Sequence, residues 1–291
     1  MPISPELGRP PVDLDESKLA KLENKTNNSE VPENTIEEDT EYISKYVEKR
    51  IEDFDAIQAK IDQGEDLNPE ELKMIYLPQD LRPLGLVTED TYYDVVRPMV
   101  HAGFQIKKGL ERDVKTDLST ALGIEQGKIS TDQETAMSGN IEFHHGDLKI
   151  DIKDLESATF PKVVNGDVEI SGITSAEGLK LPEEVLGLLD MSSLTTAVGL
   201  ILPSRLDGLY LSGLTSPEGL KLNNDISGLI DLSGLKSAKG LELPTKSYGA
   251  RIMLTGLESY EGLVIPPGME DYVILKEEEP KPMKPITVNA Y

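Results

Sequence analysis

Five stretches of this chain repeat one another in two registers at once. The first register is Gly178-Leu179-Lys180-Leu181-Pro182, Gly199-Leu200-Ile201-Leu202-Pro203, Gly219-Leu220-Lys221-Leu222-Asn223, Gly240-Leu241-Glu242-Leu243-Pro244 and Gly262-Leu263-Val264-Ile265-Pro266, its glycines 21, 20, 21 and 22 residues apart. The second is Ser171-Gly172-Ile173, Ser192-Ser193-Leu194, Ser212-Gly213-Leu214, Ser233-Gly234-Leu235 and Thr255-Gly256-Leu257. Before each of these lies an alternating apolar pair: Val168/Ile170, Leu189/Met191, Leu209/Leu211, Ile230/Leu232 and Ile252/Leu254. A shorter copy leads, with Leu148/Ile150, Leu155 and Phe160-Pro161, and Val273/Leu275 closes the series. A fixed period of this length marks a repeat architecture in which one unit cannot hide its own apolar face.

Alternation of apolar and polar residues specifies a strand with one buried face. The spacing therefore predicts a solenoid of about six coils over residues 146–276. Each coil is expected to offer two strands, one before Ser-Gly and one at Gly-Leu-x-Leu-Pro, with glycine and proline at the corners. Identical rows of leucine meet only when successive coils stack, so stability should come from neighbouring coils and from the end caps.

The run Leu202-Pro203-x-x-Leu206-x-x-Leu209-x-Leu211-x-x-Leu214 resembles the short bacterial type of leucine-rich repeat. That family usually has asparagine at the last position, whereas all five full copies here have Leu or Ile. A horseshoe and a flatter or triangular β-solenoid both stay open as shapes. The resemblance implies binding of a protein or ligand through an exposed strand face.

The rest of the chain reads differently. Residues 1–34 are rich in Pro, Asn, Glu and Lys, a composition of disordered, acidic segments. Apolar residues at Ile43, Tyr46, Val47, Ile51, Phe54, Ile57 and Ile61 form one helical stripe from about Thr35 to Gly64. Asn68-Pro69-Glu70-Glu71 is a helix start for a short helix through Leu72, Ile75 and Tyr76. Thr88-Glu89-Asp90 predicts another helix reaching Val100, and a last one should cover Phe104 to Leu122. Residues 35–123 thus form a small helical unit, 124–145 a linker and leading cap, and 277–291 a disordered tail. The fold class is α+β, a helical unit followed by a leucine-rich-repeat-like β-solenoid.

Net charge is −24, which repels nucleic acid and anionic membranes at long range. The absence of cysteine excludes disulfides, thiolate metal sites and cysteine nucleophiles. It also excludes the cysteine-dependent ubiquitin ligases that carry similar repeats. The start Met1-Pro2-Ile3-Ser4-Pro5 lacks the features of a signal peptide, and no apolar run is long enough to span a membrane, so a cytoplasmic location is expected. Gly123-Ile124-Glu125-Gln126-Gly127-Lys128 has too few residues between its glycines for a phosphate loop. His144 and His145 should point to opposite faces of a strand, which disfavours a shared metal. No cofactor is expected.

The residue between each apolar pair points outward. These are Glu169, Asp190, Tyr210, Asp231 and Met253, a ladder that could bind a basic segment with Tyr210 as anchor. A second ladder at Lys180, Ile201, Lys221, Glu242 and Val264 is mixed in character, and the row Ser175, Thr196, Ser216, Ser237 and Ser259 should satisfy turn backbone. The expected function is non-catalytic protein–protein interaction or scaffolding. A carbohydrate-binding or carbohydrate-cleaving β-helix is an alternative, opposed by the lack of Trp and by a single ladder Tyr. Another is a structural role with homodimerisation through the Ile43–Ile61 helix.

Overall fold

A computed structural model of the chain describes residues 34–77, 113–151, 159–223, 226, 228–245 and 251–276. The expected helix over 88–100 lies outside these residues, as do the tail at 277–291 and all but Asn34 of the segment 1–34.

The first helix, α1, spans Asn34–Asp62, and α2 spans Pro69–Tyr76. Gly64, at φ 70°, ends the turn after α1. The start of α2 is a capping box: Glu71 N–H donates to Asn68 Oδ1 at 3.0 Å and Asn68 N–H donates to Glu71 Oε2 at 2.9 Å. The third helix, α3, spans Val114–Leu122; residues 104–112, where the expected helix was to begin, lie outside the described residues. Asp113 is extended, and its carboxylate accepts from Lys115 N–H and Thr116 Oγ1–H, so it starts a new helix there.

The segment 124–145 carries structure of its own. Strand β1 (Ile129–Ser130) pairs in parallel with β2 (Phe143–His145), and the one-turn helix α4 (Gln133–Ala136) lies between them.

From β2 onward the chain winds as a parallel β-solenoid of about six turns. One sheet runs β1-β2-β4-β6, with β4 at Val163–Asn165 and β6 at Glu184–Val185. The other has seven strands: β3 (Leu148–Asp151), β5 (Val168–Ser171), β7 (Leu188–Asp190), β8 (Gly208–Tyr210), β9 (Leu229–Asp231), β10 (Arg251–Leu254) and β11 (Val273–Leu275). Its register is that of the sequence repeat, with Ile150 on Ile170, Leu189 on Leu209, Leu209 on Ile230 and Ile252 on Val273. The inward rows close into one core in which Ile170, Met191, Leu211, Leu232 and Leu254 are all buried.

The second strand of each coil is not where the spacing placed it. Gly-Leu-x-Leu-Pro carries no ladder among the described residues, and the second sheet forms after it, at Val163–Asn165 and Glu184–Val185. The reason is local. Gly178 takes φ 81°, and the next amide is spent on a tight turn, Leu179 N–H to Ala176 O at 3.0 Å. The turn recurs at Leu200, Leu220, Leu241 and Leu263, and a proline at the far end has no N–H to give to the next coil.

The helical unit packs on the outside of the smaller sheet. Ile43, Tyr46, Val47, Phe54 and Ile57 share a core with Leu72 and Leu118 and with Phe143, Val163 and Leu186 of the solenoid. The apolar stripe of α1 is therefore buried within the single chain. Asn165 Nδ2 donates to the carbonyl of Tyr76 at 2.7 Å, and Tyr76 O–H donates to buried Asp117 at 2.9 Å.

Candidate functional site

Helices cover the outer face of the smaller sheet, and among the described residues none covers that of the larger one. The five ladder residues fall into a single column in register: Glu169 on Asp190, Asp190 on Tyr210, Tyr210 on Asp231, and Asp231 on Met253. The column is longer than the sequence reading made it. Lys149 precedes it and Ile274 follows it. Lys149 Nζ lies 3.1 Å from Glu169 Oε2, an exposed pair of small energetic weight.

Two of the acids are tied to the scaffold. Asp190 Oδ1 accepts from Ser192 N–H at 2.8 Å and from Ser192 Oγ–H at 2.6 Å, and Asp231 Oδ1 accepts from Ser233 N–H at 2.9 Å. Both are Asx turns that hold the corner after the strand. In each, Oδ2 has no hydrogen-bond partner among the described residues, and the residue is partly exposed. The Tyr210 hydroxyl likewise has none, and its ring is half-buried. The turn thus fixes two carboxylates on either side of an aromatic ring, about 9.6 Å apart by strand spacing.

A second column runs beside the first and was missed in the sequence, because it stands just before the apolar pair. It contains Asp167, Leu188, Gly208, Leu229 and Arg251. A Cβ at Gly208 would come within 2.5 Å of Leu188 Cδ2, so the Leu188 side chain lies over the bare glycine. Leu188 and Leu229 are half-buried, and together with Tyr210 they make an apolar strip flanked by acids. A shallow depression lies there, lined by Lys149, Asp167, Glu169, Leu188, Asp190 and Tyr210.

The remaining candidate residues do other work. Each hydroxyl of the Ser175, Thr196, Ser216, Ser237 and Ser259 row accepts the amide two residues on, at 3.2–3.3 Å. In the mixed second ladder, Ile201 and Val264 are isolated exposed side chains. His144 and His145 do point apart. His144 is buried with Nδ1 2.8 Å from Ser130 Oγ, while His145 meets Asn165 at 2.9 Å and the Tyr76 ring edge-on. Burial pushes the His144 imidazole below its ordinary pKa, against the partial opposition of the Asp147 and Ser130 backbone and of the Asp132 and Asp147 charges. Among the described residues no group of three or more His, Cys, Asp or Glu is placed to hold a metal ion, and no helix is long and apolar enough to cross a membrane.

Comparison of the chain with family models, with curated proteins and with solved structures gives no match.

Proposed function

We propose that the outer face of the seven-stranded sheet binds an extended segment of a partner protein carrying basic and apolar side chains, without catalysis. One observation carries the reading: Tyr210 stands in register between Asp190 and Asp231, with Leu188 and Leu229 alongside. A half-buried aromatic ring supplies contact area at low entropic cost, and the flanking carboxylates fix a basic ligand's position. Both carboxylates are held by Asx turns, so little ordering remains to be done on binding. The resemblance of the repeats to short leucine-rich repeats supports the same reading.

The test is selection of random peptides on the intact chain, followed by titration against two variants. Asp190→Asn with Asp231→Asn removes charge but keeps an oxygen acceptor for each turn, and Tyr210→Ala removes the anchor. The reading expects basic, apolar-containing peptides whose affinity falls about tenfold or more in either variant, the loss typical of an interface anchor. Peptides that bind both variants as well as they bind the original chain would refute it.

A further inference from the structure

One corner of the solenoid stacks into a ridge. Tight turns at Ala176–Leu179, Ala197–Leu200, Pro217–Leu220, Ala238–Leu241 and Tyr260–Leu263 recur from coil to coil. A Cβ at Gly199 would lie 3.1 Å from Glu177 Cα, and one at Gly219 would lie 2.8 Å from Val198 Cα, so successive turns pack closely. Each turn exposes two side chains, one just before its glycine and one two residues after it. In chain order the pairs are Glu177/Lys180, Val198/Ile201, Glu218/Lys221, Lys239/Glu242 and Glu261/Val264, and every member is exposed.

Ile201 stands alone among the charges of its own ladder, but Val198 is exposed on the same coil. They are 79% and 47% exposed, two of the five large apolar side chains left exposed among the described residues. The fold does not ask for them. Glu177, Glu218 and Lys239 serve at the position of Val198, and Lys180, Lys221 and Glu242 serve at that of Ile201. An exposed apolar pair rimmed by charge is the pattern of an interaction surface. On the three charged coils around it, one position is acidic and the other basic. None of those six side chains makes an ion pair among the described residues.

Such a surface is complementary to its own copy. A two-fold axis along the solenoid, between the two columns, sets each column against the other column of a second chain, coil for coil. Glu177 then meets Lys180 of the second copy, Val198 meets Ile201, Glu218 meets Lys221 and Lys239 meets Glu242, each contact made twice. An antiparallel two-fold through the Val198 coil would set Glu177 on Glu218 and Lys180 on Lys221. One centred between the Glu218 and Lys239 coils would match those charges but bring Val198 onto Glu261.

We infer that the chain pairs with a second copy of itself through this ridge, as a parallel two-fold dimer centred on Val198 and Ile201. The ridge lies elsewhere on the coil from the Asp190, Tyr210 and Asp231 column, so the inference stands apart from the proposed function. Five turns at about 4.8 Å per coil make a ridge about 20 Å long, small against the roughly 800 Å² per partner of a stable interface. The dimer is therefore weak, with a dissociation constant on the order of 100 μM, and at low micromolar concentration the chain is monomeric.

Sedimentation of the full chain between about 10 μM and roughly 1 mM tests this, in about 0.15 M salt to screen the net charge of −24. Reversible dimerisation is expected. Ile201→Asp should weaken it about tenfold or more with an unchanged thermal melt, because the side chain is 79% exposed. Lys221→Glu and Glu218→Lys each set like charges across the axis twice, and each should also lose about tenfold. Combining the two substitutions in one chain restores both contacts and should recover the original affinity. An equimolar mixture of the two single variants should form a mixed dimer. A chain that stays monomeric throughout, a dimer unaffected by Ile201→Asp, single variants that do not pair with each other, or a combined variant that stays weak would each overturn the inference. The last is the outcome that the antiparallel pairing between the Glu218 and Lys239 coils predicts.

Discussion

The glycine of the Ser-Gly-Leu motif gives the sharpest test of how the coils are held. Gly234 has an ordinary φ, so its backbone does not demand glycine. Its surroundings do. A Cβ built there would lie 2.0 Å from Ser212 O and 2.6 Å from Leu214 O in the coil below, where ordinary contact begins near 3.4 Å. Relief requires the two coils to separate. The nearest links between those coils are backbone bonds such as Leu211 N–H to Asp231 O at 2.9 Å, and Lys236 N–H to Thr215 O at 3.2 Å. Weakening two such bonds costs about 1 kcal/mol each, and the forced repacking about 1–3 kcal/mol more. Gly234→Ala should therefore destabilise by about 3–5 kcal/mol. Gly240→Ala is the control. That glycine has φ 84° and nothing within 4 Å of a Cβ, so alanine there bears only the left-handed backbone penalty, about 1–2 kcal/mol. Urea unfolding followed by circular dichroism measures both. If Gly240→Ala proved as damaging as Gly234→Ala, backbone conformation and not coil crowding would be what the motif protects.

Two further predictions follow from the N-terminal end of the solenoid. Gln133 stands in for a missing strand: its Nε2 donates to Lys149 O at 2.7 Å and its Oε1 accepts from Lys149 N–H at 3.0 Å, closing the edge of β3. Gln133→Ala should cost about 1–2 kcal/mol and bare that edge, so light scattering should detect concentration-dependent association; a monomeric variant of unchanged stability would contradict the edge-capping role. His144 binds fewer protons when folded than when unfolded, because burial lowers its pKa. Its contribution should be complete above the free imidazole value of about 6.5, decline as the pH falls below that, and level off once the lowered folded value is passed. Urea midpoints across this window should flatten in His144→Gln, and an unchanged slope in that variant would show that another group sets the acid response.

The inward rows were legible because a two-residue period leaves no choice of face once one face is buried. Met191, Leu211 and Leu232 could be assigned to the interior without coordinates. Corners were less legible. The alternation in Gly-Leu-x-Leu-Pro reads as a strand, but Gly178's left-handed turn and Pro182's missing donor leave that segment without a ladder. At the glycine position of the Ser-Gly-Leu motif, Ser193 is the one exception. It follows a coil whose turn at Gly172 takes φ 80°, unlike those at Gly213, Gly234 and Gly256. The docking of helices on the smaller sheet left no local signal, since it joins Tyr76 to Asn165, 89 residues away. For the candidate site, the column was readable and the second function of its acids was not. The pattern Asp-x-Ser at Asp190 and Asp231 is the signal that marks them as turn residues.

That double role bears on where binding chemistry can reside in this fold. The coils repeat the same inward rows, and the corners at Gly213, Gly234 and Gly256 are crowded, so a change at either is felt by neighbouring coils. Outward columns alone are free to differ from coil to coil. Within them, Asp190 and Asp231 each use one oxygen for the turn and leave the other without a hydrogen-bond partner among the described residues. Replacing either by Lys would lose a corner contact together with a charge, and an effect on binding would be confounded with an effect on folding. Asparagine separates the two, because it retains the acceptor and discards the charge. Glu169 has no such turn and is paired with Lys149. The acids fixed in direction therefore are the two that flank Tyr210, and specificity on this face should centre there and weaken towards Glu169.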